Sequence, residues 1–207
     1  MSGPNPASFF LPGLKTPVKS AKLLKSEKSE TVKTRRENGW TCIELPPRAP
    51  EKLISVIEVE LTAAPDVDPC FGIDPGMKTE IAAAFSKVQG AKKSENKWME
   101  KFGEWKHLKQ VADWETNGAA TWEVDVIKPG DYQVGLTYAG HGRLVWKVAV
   151  EGGQAIQNQQ NSSHNYQGFP IGWLNFPKPG RYKVSVACIE GNLKSASLKA
   201  IDFVPMP

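Results

Sequence analysis

A strict two-residue alternation of apolar and polar side chains in the second half of this 207-residue chain constrains its fold more than any other feature. In the first such segment, the apolar residues Trp122, Val124 and Val126 occupy even positions. The acidic residues Glu123 and Asp125 occupy the odd positions between them. A period of two places alternate side chains on opposite faces of a strand, so the pattern predicts half-buried β-strands. Three more segments follow it and together predict a β-sandwich: Tyr132 to Tyr138, Leu144 to Val150 and Tyr182 to Cys188.

One short motif occurs twice within this region. Lys128–Val134 reads KPGDYQV, and Lys178–Val184 reads KPGRYKV. Two copies are too few for a solenoid, so they predict matching Pro-Gly turns that lead into equivalent strands. The chain also holds 18 glycines and 16 prolines, a turn-rich balance that favours many short strands over a few long helices.

Residues 7–62 form an earlier block of strand-length runs bounded by Pro, Gly or Asn-Gly. Asn38-Gly39 is its strongest hairpin signal, because both residues tolerate the positive φ of a type I′ turn. The block therefore predicts a small antiparallel sheet. Its runs are Phe9 to Leu14, Val18 to Leu24, Glu30 to Arg36, Trp40 to Leu45 and Leu53 to Leu61.

Two later segments have patterns that fit more than one structure. Thr79 to Val88 suits a short helix as well as a buried strand. Four apolar residues after it fall at helical spacing, although a loop that carries anchored aromatics fits equally: Trp98, Phe102, Trp105 and Leu108.

Charge and hydropathy exclude several classes of function. The net charge is +4, and Lys15 to Arg36 holds eight basic residues against Glu27 and Glu30. Because no aromatics are interleaved with them, this cluster indicates a solvated strand face and no nucleic-acid partner.

No apolar run approaches the ~20 residues of a membrane span, and the N-terminal residues lack the layout of a secretion signal.

The cysteines give no sign of a metal site. Cys42, Cys70 and Cys188 are too widely spaced for a zinc site, and an odd number argues against a disulfide framework, although one bridge stays open. Cys188 ends an alternating run, which predicts a small buried apolar side chain.

The chain resembles parts of a known family of glycoside hydrolases. The Pro-Gly turn, the Tyr and the alternating Val residues are similar to galactose-binding-like jelly rolls that serve as carbohydrate-binding modules. About 55 upstream residues resemble, in order and spacing, the end of the β-sandwich that follows the catalytic barrel of α-L-fucosidases. The segments that match are Leu11–Leu14, Val18–Leu24, Gly39–Thr41, Ile43–Pro46 and Ala49–Ile57.

This resemblance implies an all-β chain of two parts. Residues 1–62 would be terminal strands of the fucosidase-like sandwich, 63–76 a linker rich in Pro and Asp, and 77–207 a jelly-roll domain like a carbohydrate-binding module. The parent protein is expected to be secreted or periplasmic, with no targeting signal in this chain.

The resemblance also implies that catalysis lies elsewhere. Retaining fucosidases use an Asp nucleophile and a carboxylic acid/base on a (β/α)₈ barrel, and no stretch here has that alternation. Retaining hydrolysis needs two carboxyl groups about 5 Å apart. The nearest pairs are Asp113 with Glu115 and Glu123 with Asp125, and the second pair lies on the polar face of a predicted strand. We therefore expect no enzyme activity from this chain.

The function expected from the sequence is weak carbohydrate binding that targets or supports a missing catalytic domain of the α-L-fucosidase type. The partners would be that domain and a glycan, either fucosylated or a plant or host oligosaccharide. The alternative is a purely structural or protein-docking β-sandwich that never contacts sugar.

Two polar loops supply candidate sugar-binding residues. A sugar site needs an aromatic face for the C–H side of a pyranose and planar polar groups for its hydroxyls. The loop around Gly140 offers His141 and Arg143, and the stretch from Asn158 offers His164, Asn165 and Tyr166. An ordinary hydrophilic connection explains either loop equally well.

The tryptophans divide into core and surface candidates. Trp122 and Trp146 alternate with Val and Leu and are expected in the core, and Trp114 precedes the first clear strand as a structural aromatic. Trp98 and Trp105 flank no clear strand, so they are the candidates for stacking on a sugar.

No cofactor is required by this function. Related jelly rolls often hold a structural calcium near the first and last strands, which here would involve Glu80 and Asp202. Calcium takes 6–8 oxygen ligands, so backbone carbonyls and water would have to complete the site.

Overall fold

The structure is a computed structural model that describes residues 8–25, 29–47, 54–99 and 105–206, with the backbone only at positions 98, 99, 105 and 106. Its regular elements are antiparallel strands and two single-turn 3₁₀ helices, so the prediction of an all-β sandwich fold is confirmed. The chain divides into two compact units, Met1–Gly72 and Ile73–Pro207.

The first unit consists of two three-stranded sheets. Its strands are β1 (Ser8–Leu11), β2 (Val18–Leu24), β3 (Glu30–Thr31), β4 (Thr34–Glu37), β5 (Trp40–Glu44) and β6 (Val56–Leu61). The sheet orders are β1-β5-β4 and β3-β2-β6. Val32 and Lys33 connect the two sheets. Val32 N donates a hydrogen bond to Ala21 O on β2, and Lys33 O accepts one from Glu44 N on β5. The buried residues Ala21, Leu23, Val32 and Ile43 form the core.

The predicted hairpin at Asn38-Gly39 is confirmed. Asn38 has φ 48° and Gly39 has φ 88°, and the flanking residues Glu37 and Trp40 face each other across β4 and β5. A two-residue turn with positive φ at both positions matches the right-handed twist of the strands that it joins.

The second unit is a sandwich of two antiparallel sheets. One sheet has the order β10-β11-β18-β13-β16, with β8 also pairing with β18; the other contains β15-β14-β17-β12, with β9 pairing with β12. The 3₁₀ turns are Ala83–Phe85 and Leu193–Ser195. Strand β7 (Phe71–Ile73) includes the division after Gly72. The strands that follow it are β8 (Thr79–Ala82), β9 (Lys87–Gln89), β10 (Lys92–Met99), β11 (Trp105–Ala112), β12 (Ala119–Val126), β13 (Gly130–Ala139), β14 (Gly142–Val150), β15 (Ala155–Ser162), β16 (Gln167–Phe176), β17 (Gly180–Gly191) and β18 (Ser197–Pro205).

The four alternating segments form β12, β13, β14 and β17, as predicted. Their apolar side chains meet between the two sheets. Trp146 is fully buried, with its ring 5.0 Å from Tyr138 and 5.3 Å from Trp114. Trp122 and Cys188 are buried as well, so the core assignments are confirmed. The long strands thus supply a rigid frame, and only the connections between them can adapt to a partner.

Strand pairing shows the secondary structure of the two segments whose patterns fitted more than one element. Thr79 to Val88 contains β8, a 3₁₀ turn and the start of β9, so it is neither one helix nor one strand. Trp98 and Trp105 do not lie on a helix or a loop, because β10 and β11 form an antiparallel hairpin in which Met99 faces Trp105. Phe102 lies outside the described residues.

Two buried thiols belong to the cores. Cys42 and Cys188 are fully buried, and burial raises the pKa of both, that of Cys188 to about 12. A thiol with such a pKa stays protonated and acts as an apolar group. No helix in the described ranges is long and apolar enough to cross a bilayer.

Candidate functional site

An open cavity of about 230 Å³ lies at one end of the second unit's sandwich. Three connections meet there, those of β13 with β14, β15 with β16 and β17 with β18, and the β10–β11 hairpin forms the remaining wall. The lining residues are Asn96, Gln110, Ala139, Gly140, His141, His164, Tyr166, Ser195 and Ser197.

Two hydrogen bonds from backbone N–H groups tie the three connections together. Gly140 N donates to Ser163 O at 2.9 Å, and His141 N donates to Ser195 Oγ at 3.1 Å. A Cβ on Gly140 would lie 2.5 Å from Leu144 Cδ1, so a larger residue here would require the buried Leu144 side chain to shift. The loop that carries His141 is therefore held against the two others before any ligand arrives.

Tyr166 and Gln110 form the polar floor of the cavity. The Tyr166 hydroxyl donates to Gln110 Oε1. Burial raises the pKa of Tyr166, and a hydrogen bond with Ser197 opposes this only in part, so the phenol stays neutral. With its oxygen engaged, the Gln110 amide keeps its Nε2 donor without a partner among the residues that the structure describes.

Polar side chains line much of the cavity, and its described lining contains no carboxylate, lysine or arginine. Two imidazoles, two amides, one phenol and two serine hydroxyls supply both donors and acceptors. The arrangement is suited to holding an uncharged molecule with several hydroxyl groups.

The structure brings some of the sequence candidates together and leaves others apart. His141, His164 and Tyr166 share the cavity although they come from two different loops. Arg143 instead faces Glu190, with Nη2 3.3 Å from Oε2 and both side chains more than half exposed. Asn165 is exposed, and its backbone N–H donates to Ser163 Oγ at 3.3 Å.

The stacking candidates Trp98 and Trp105 lie on β10 and β11, the hairpin that also carries Asn96 and Gln110. Their side chains lie outside the described part of the structure. Their role in stacking stays a prediction.

Sequence reasoning missed four polar residues of the cavity: Asn96, Gln110, Ser195 and Ser197. Asn96 and Gln110 come from strands without a clear alternation, and the serines flank a buried alanine after a 3₁₀ turn. No local signal distinguishes them from ordinary surface residues. Their convergence depends on strand order, which places β11 beside β18 and β18 beside β13.

Glu80 and Asp202, the predicted calcium ligands, face each other in register on β8 and β18. Asp202 is buried, and its Oδ2 lies 3.3 Å from the ammonium group of Lys78. The described residues contain no group of three or more side chains of the His, Cys, Asp or Glu type that could hold a metal. The structure thus gives Asp202 a lysine partner, which fits a divalent cation poorly, and calcium stays a prediction.

One carboxylate of each pair weighed as catalytic forms a surface ion pair. Glu123 Oε1 lies 3.2 Å from Lys87 Nζ, and Asp113 Oδ2 lies 3.7 Å from Lys92 Nζ. Both carboxylates are about half exposed, outside the cavity lining.

No protein-family model and no curated protein sequence matches the chain. Among solved structures, an α-L-fucosidase from Vibrio sp. strain EJY3 is similar over 98% of this chain and 36% of that one, with 15% identity and a TM-score of 0.54. The GH26-CBM35 β-(1,4)-mannanase of Podospora anserina is similar over 63% of this chain and 28% of that one, with 13% identity and a TM-score of 0.51.

The mosquito-larvicidal Cry4Aa toxin from Bacillus thuringiensis is similar over 91% of this chain and 30% of that one, with 12% identity and a TM-score of 0.51. This chain spans about a third of the length of these three proteins. At such low identity the likeness shows a shared β-sandwich fold and nothing finer.

Proposed function

We propose that this chain is a non-catalytic carbohydrate-binding region whose second unit holds a glycan in the cavity beside His141 and His164. One observation carries the proposal. Two loops that flank the β14–β15 hairpin, each a candidate for sugar binding on its composition alone, meet at a cavity whose described lining holds polar groups but no carboxylate, lysine or arginine. Such a lining matches the many hydroxyl groups of a neutral sugar.

The size of the cavity favours one sugar residue over a long chain. Its volume of about 230 Å³ lies below the ~300–1,000 Å³ of typical small-molecule pockets. The glycan would enter with one terminal residue, and the Gln110 amide and the two serines would bond its hydroxyls. The register of β10 and β11 puts position 98 on the same face as Asn96 and Gln110, and position 105 on the opposite face. Trp98 would therefore stack on the next residue of the glycan. With one stack of ~0.5–1.5 kcal/mol, the affinity would be on the order of millimolar.

The parent protein in this proposal is a glycoside hydrolase of the α-L-fucosidase type, exported from the cell. The sequence segments that resemble the fucosidase sandwich support it, as does the similarity in fold to a fucosidase over nearly the whole chain. A weak module of this kind would act by keeping the enzyme near a fucosylated, plant or host glycan, since linked sites raise effective concentration.

Affinity electrophoresis of the full chain through gels that contain immobilised glycans tests the proposal. We expect at least one glycan to retard the chain, and H164A, Q110A and W98A to lose most of that retardation. H107A is the matched control, because His107 is an exposed histidine that bonds to Glu95 at 3.0 Å and does not line the cavity. It should migrate like the unaltered chain.

The rival, a docking or structural sandwich, predicts a different result. No glycan would then retard the chain, while an isolated fucosidase-type catalytic barrel would bind it. Unchanged retardation of all three variants would place the sugar elsewhere.

A further inference from the structure

The outer face of β16 carries an aromatic side chain that the core does not use. Trp173 is 56% exposed, and no aromatic ring or cation in the described part of the chain contacts its indole. Burial of this indole would be favourable, because it would remove apolar surface from water. A partner that covers this face would gain that free energy on binding.

A bulge in β16 turns Trp173 outward. Val134 faces Gly172 and the next residue, Gly135, faces Pro170, so Ile171 is the extra residue of this pair of strands. Ile171 is buried, and continued alternation would bury Trp173 as well. Beyond the bulge Leu174 is buried instead. Bulges of this kind often re-aim a side chain beside a functional site.

The exposed indole forms one wall of a second cavity, of about 350 Å³. The other lining residues are Asp131, Gln154, Asn175 and Met206. Asp131 and Asn175 face each other across β13 and β16, and Asn175 lies two residues from Trp173 on the same face of the strand. The cavity thus joins a flat apolar surface to polar groups on a regular sheet.

Hydrogen bonds hold these polar groups in place. Asn175 Nδ2 donates to Asp131 Oδ1 at 2.7 Å, and Asn175 N donates to Gln154 Oε1 at 3.0 Å. Met206 N donates to the backbone oxygen of Asp131 at 2.9 Å. Asp131 Oδ2, Asn175 Oδ1 and Gln154 Nε2 have no partner among the described residues. They present two acceptors and one donor to a ligand without any rearrangement.

We propose that Trp173, Asp131 and Asn175 form a second binding site, for a neutral pyranoside. The indole would cover the C–H face of the ring, and the carboxylate and amide oxygens would accept hydrogen bonds from adjacent hydroxyls. A quaternary ammonium ion also fits an indole beside a carboxylate, but it is usually enclosed by several aromatic rings. The described lining offers only one. The proposal rests on the carbohydrate-binding function proposed above.

The two cavities lie at opposite ends of the same strand. Asp131 is at the start of β13 and Ala139, which lines the first cavity, is at its end. Eight residues at ~3.3 Å each separate them by about 26 Å. A short oligosaccharide bound at one site therefore stays clear of the other, and the unit would bind two glycan ends or two chains at once.

Two-dimensional ¹H–¹⁵N NMR of the full chain tests this site separately from the first. The probes are methyl α-L-fucoside, methyl β-D-galactoside, methyl α-D-mannoside and cellohexaose, each raised to tens of millimolar, with choline as the cationic probe. We expect at least one glycoside to shift the indole N–H of Trp173 and the side-chain amide of Asn175 in a saturable manner. W173A and D131N should each weaken this binding at least tenfold, and F85A, which removes another exposed aromatic of this unit, should leave it unchanged.

The outcomes separate the two sites. If the glycosides shift His141, His164 and Gln110 but leave Trp173 unmoved, the second site is wrong and the proposed function stands. If Trp173 alone responds, the second site holds and the first cavity is wrong. A response of Trp173 to choline and to no glycoside, or of neither site to any probe, overturns the second site.

Discussion

The hydroxyl of Tyr132 donates a 2.8 Å hydrogen bond to the backbone oxygen of Lys128, four residues earlier in the chain. Tyr182 makes the same bond to Lys178, at 2.7 Å. Between each pair lie the Pro and Gly of the repeated motif, and each Gly begins a strand, β13 in one sheet and β17 in the other. The motif is thus a turn closed by its own tyrosine, used once in each sheet.

Replacement of Tyr132 by phenylalanine tests the contribution of this bond. Tyr132 is only 1% exposed and its bond is partly buried, so in Y132F water reaches the Lys128 carbonyl less freely than it would a fully exposed one. We expect the free energy of unfolding to fall by about 1 kcal/mol, as for a typical internal hydrogen bond. Urea denaturation of the full chain measures it.

Y182F is the matched comparison, because the equivalent bond is exposed to solvent. Water can replace the lost donor there, so we expect a loss of less than about 0.5 kcal/mol. If both variants lost the same free energy of unfolding, the burial of Tyr132 would not make its hydrogen bond more stabilising than that of Tyr182.

Gly135 is a second position at which packing dictates the residue. A Cβ there would lie 2.7 Å from Oδ2 and 2.9 Å from Oδ1 of the buried Asp202. We expect G135A to lower the free energy of unfolding by about 1–3 kcal/mol, the usual cost of overpacking. Thermal or chemical denaturation with far-UV circular dichroism measures the change.

Two further variants show whether the cause is this contact. In G168A the nearest atom to the new Cβ is Thr137 Oγ1 at 3.9 Å, an ordinary contact, so the change should stay within about 0.5 kcal/mol. In a D202A background the effect of G135A should largely disappear. An undiminished effect in that background would mean that another contact causes the loss.

Stability should fall at alkaline pH because buried acids resist ionisation. Burial raises the pKa of Cys188 and that of Tyr138 to about 12, above ~8.5 and ~10 for the unfolded groups. Between these values the folded chain holds protons that the unfolded chain has lost, so the free energy of unfolding decreases as pH rises. The full contribution is present below pH ~8.5, and each group can cost up to about 1.4 kcal/mol per pH unit above its unfolded pKa.

C188A isolates the thiol's share of this effect. Its free energy of unfolding should fall less steeply than that of the unaltered chain from about pH 9 upward. Urea titrations at half-unit steps of pH measure both slopes. Identical slopes would show that Cys188 ionises in the folded chain as readily as in the unfolded one.

The sequence predicted the turns and the buried faces of strands correctly where they depend on neighbouring residues alone. Asn38-Gly39 and the two Pro-Gly turns depend on backbone preferences of adjacent residues, and Trp122 and Trp146 follow the alternation of their own strands. Lys92–Met99 alternates poorly because most of its residues are polar, so only its pairing with β11 shows that it is a strand. The helical spacing of Trp98 and Trp105 was misleading for that reason.

The candidate site could be predicted only in part. The composition of two loops pointed to His141, His164 and Tyr166, but Gln110 and the serines join them through strand order, which no local pattern contains. Trp173 was missed for a different reason. A bulge at Ile171 reverses the parity of β16, and alternation extrapolated from Ile171 would place that tryptophan in the core.

The most direct test of glycan binding at the first cavity uses the chain's three histidines, His107, His141 and His164. Their ring resonances can be followed by long-range ¹H–¹⁵N NMR during titration with a glycan that retards the chain in gels. Our account predicts saturable shifts of the His141 and His164 rings with one common affinity in the millimolar range, while the His107 ring stays unmoved. Stationary rings at His141 and His164 at saturating glycan would contradict it.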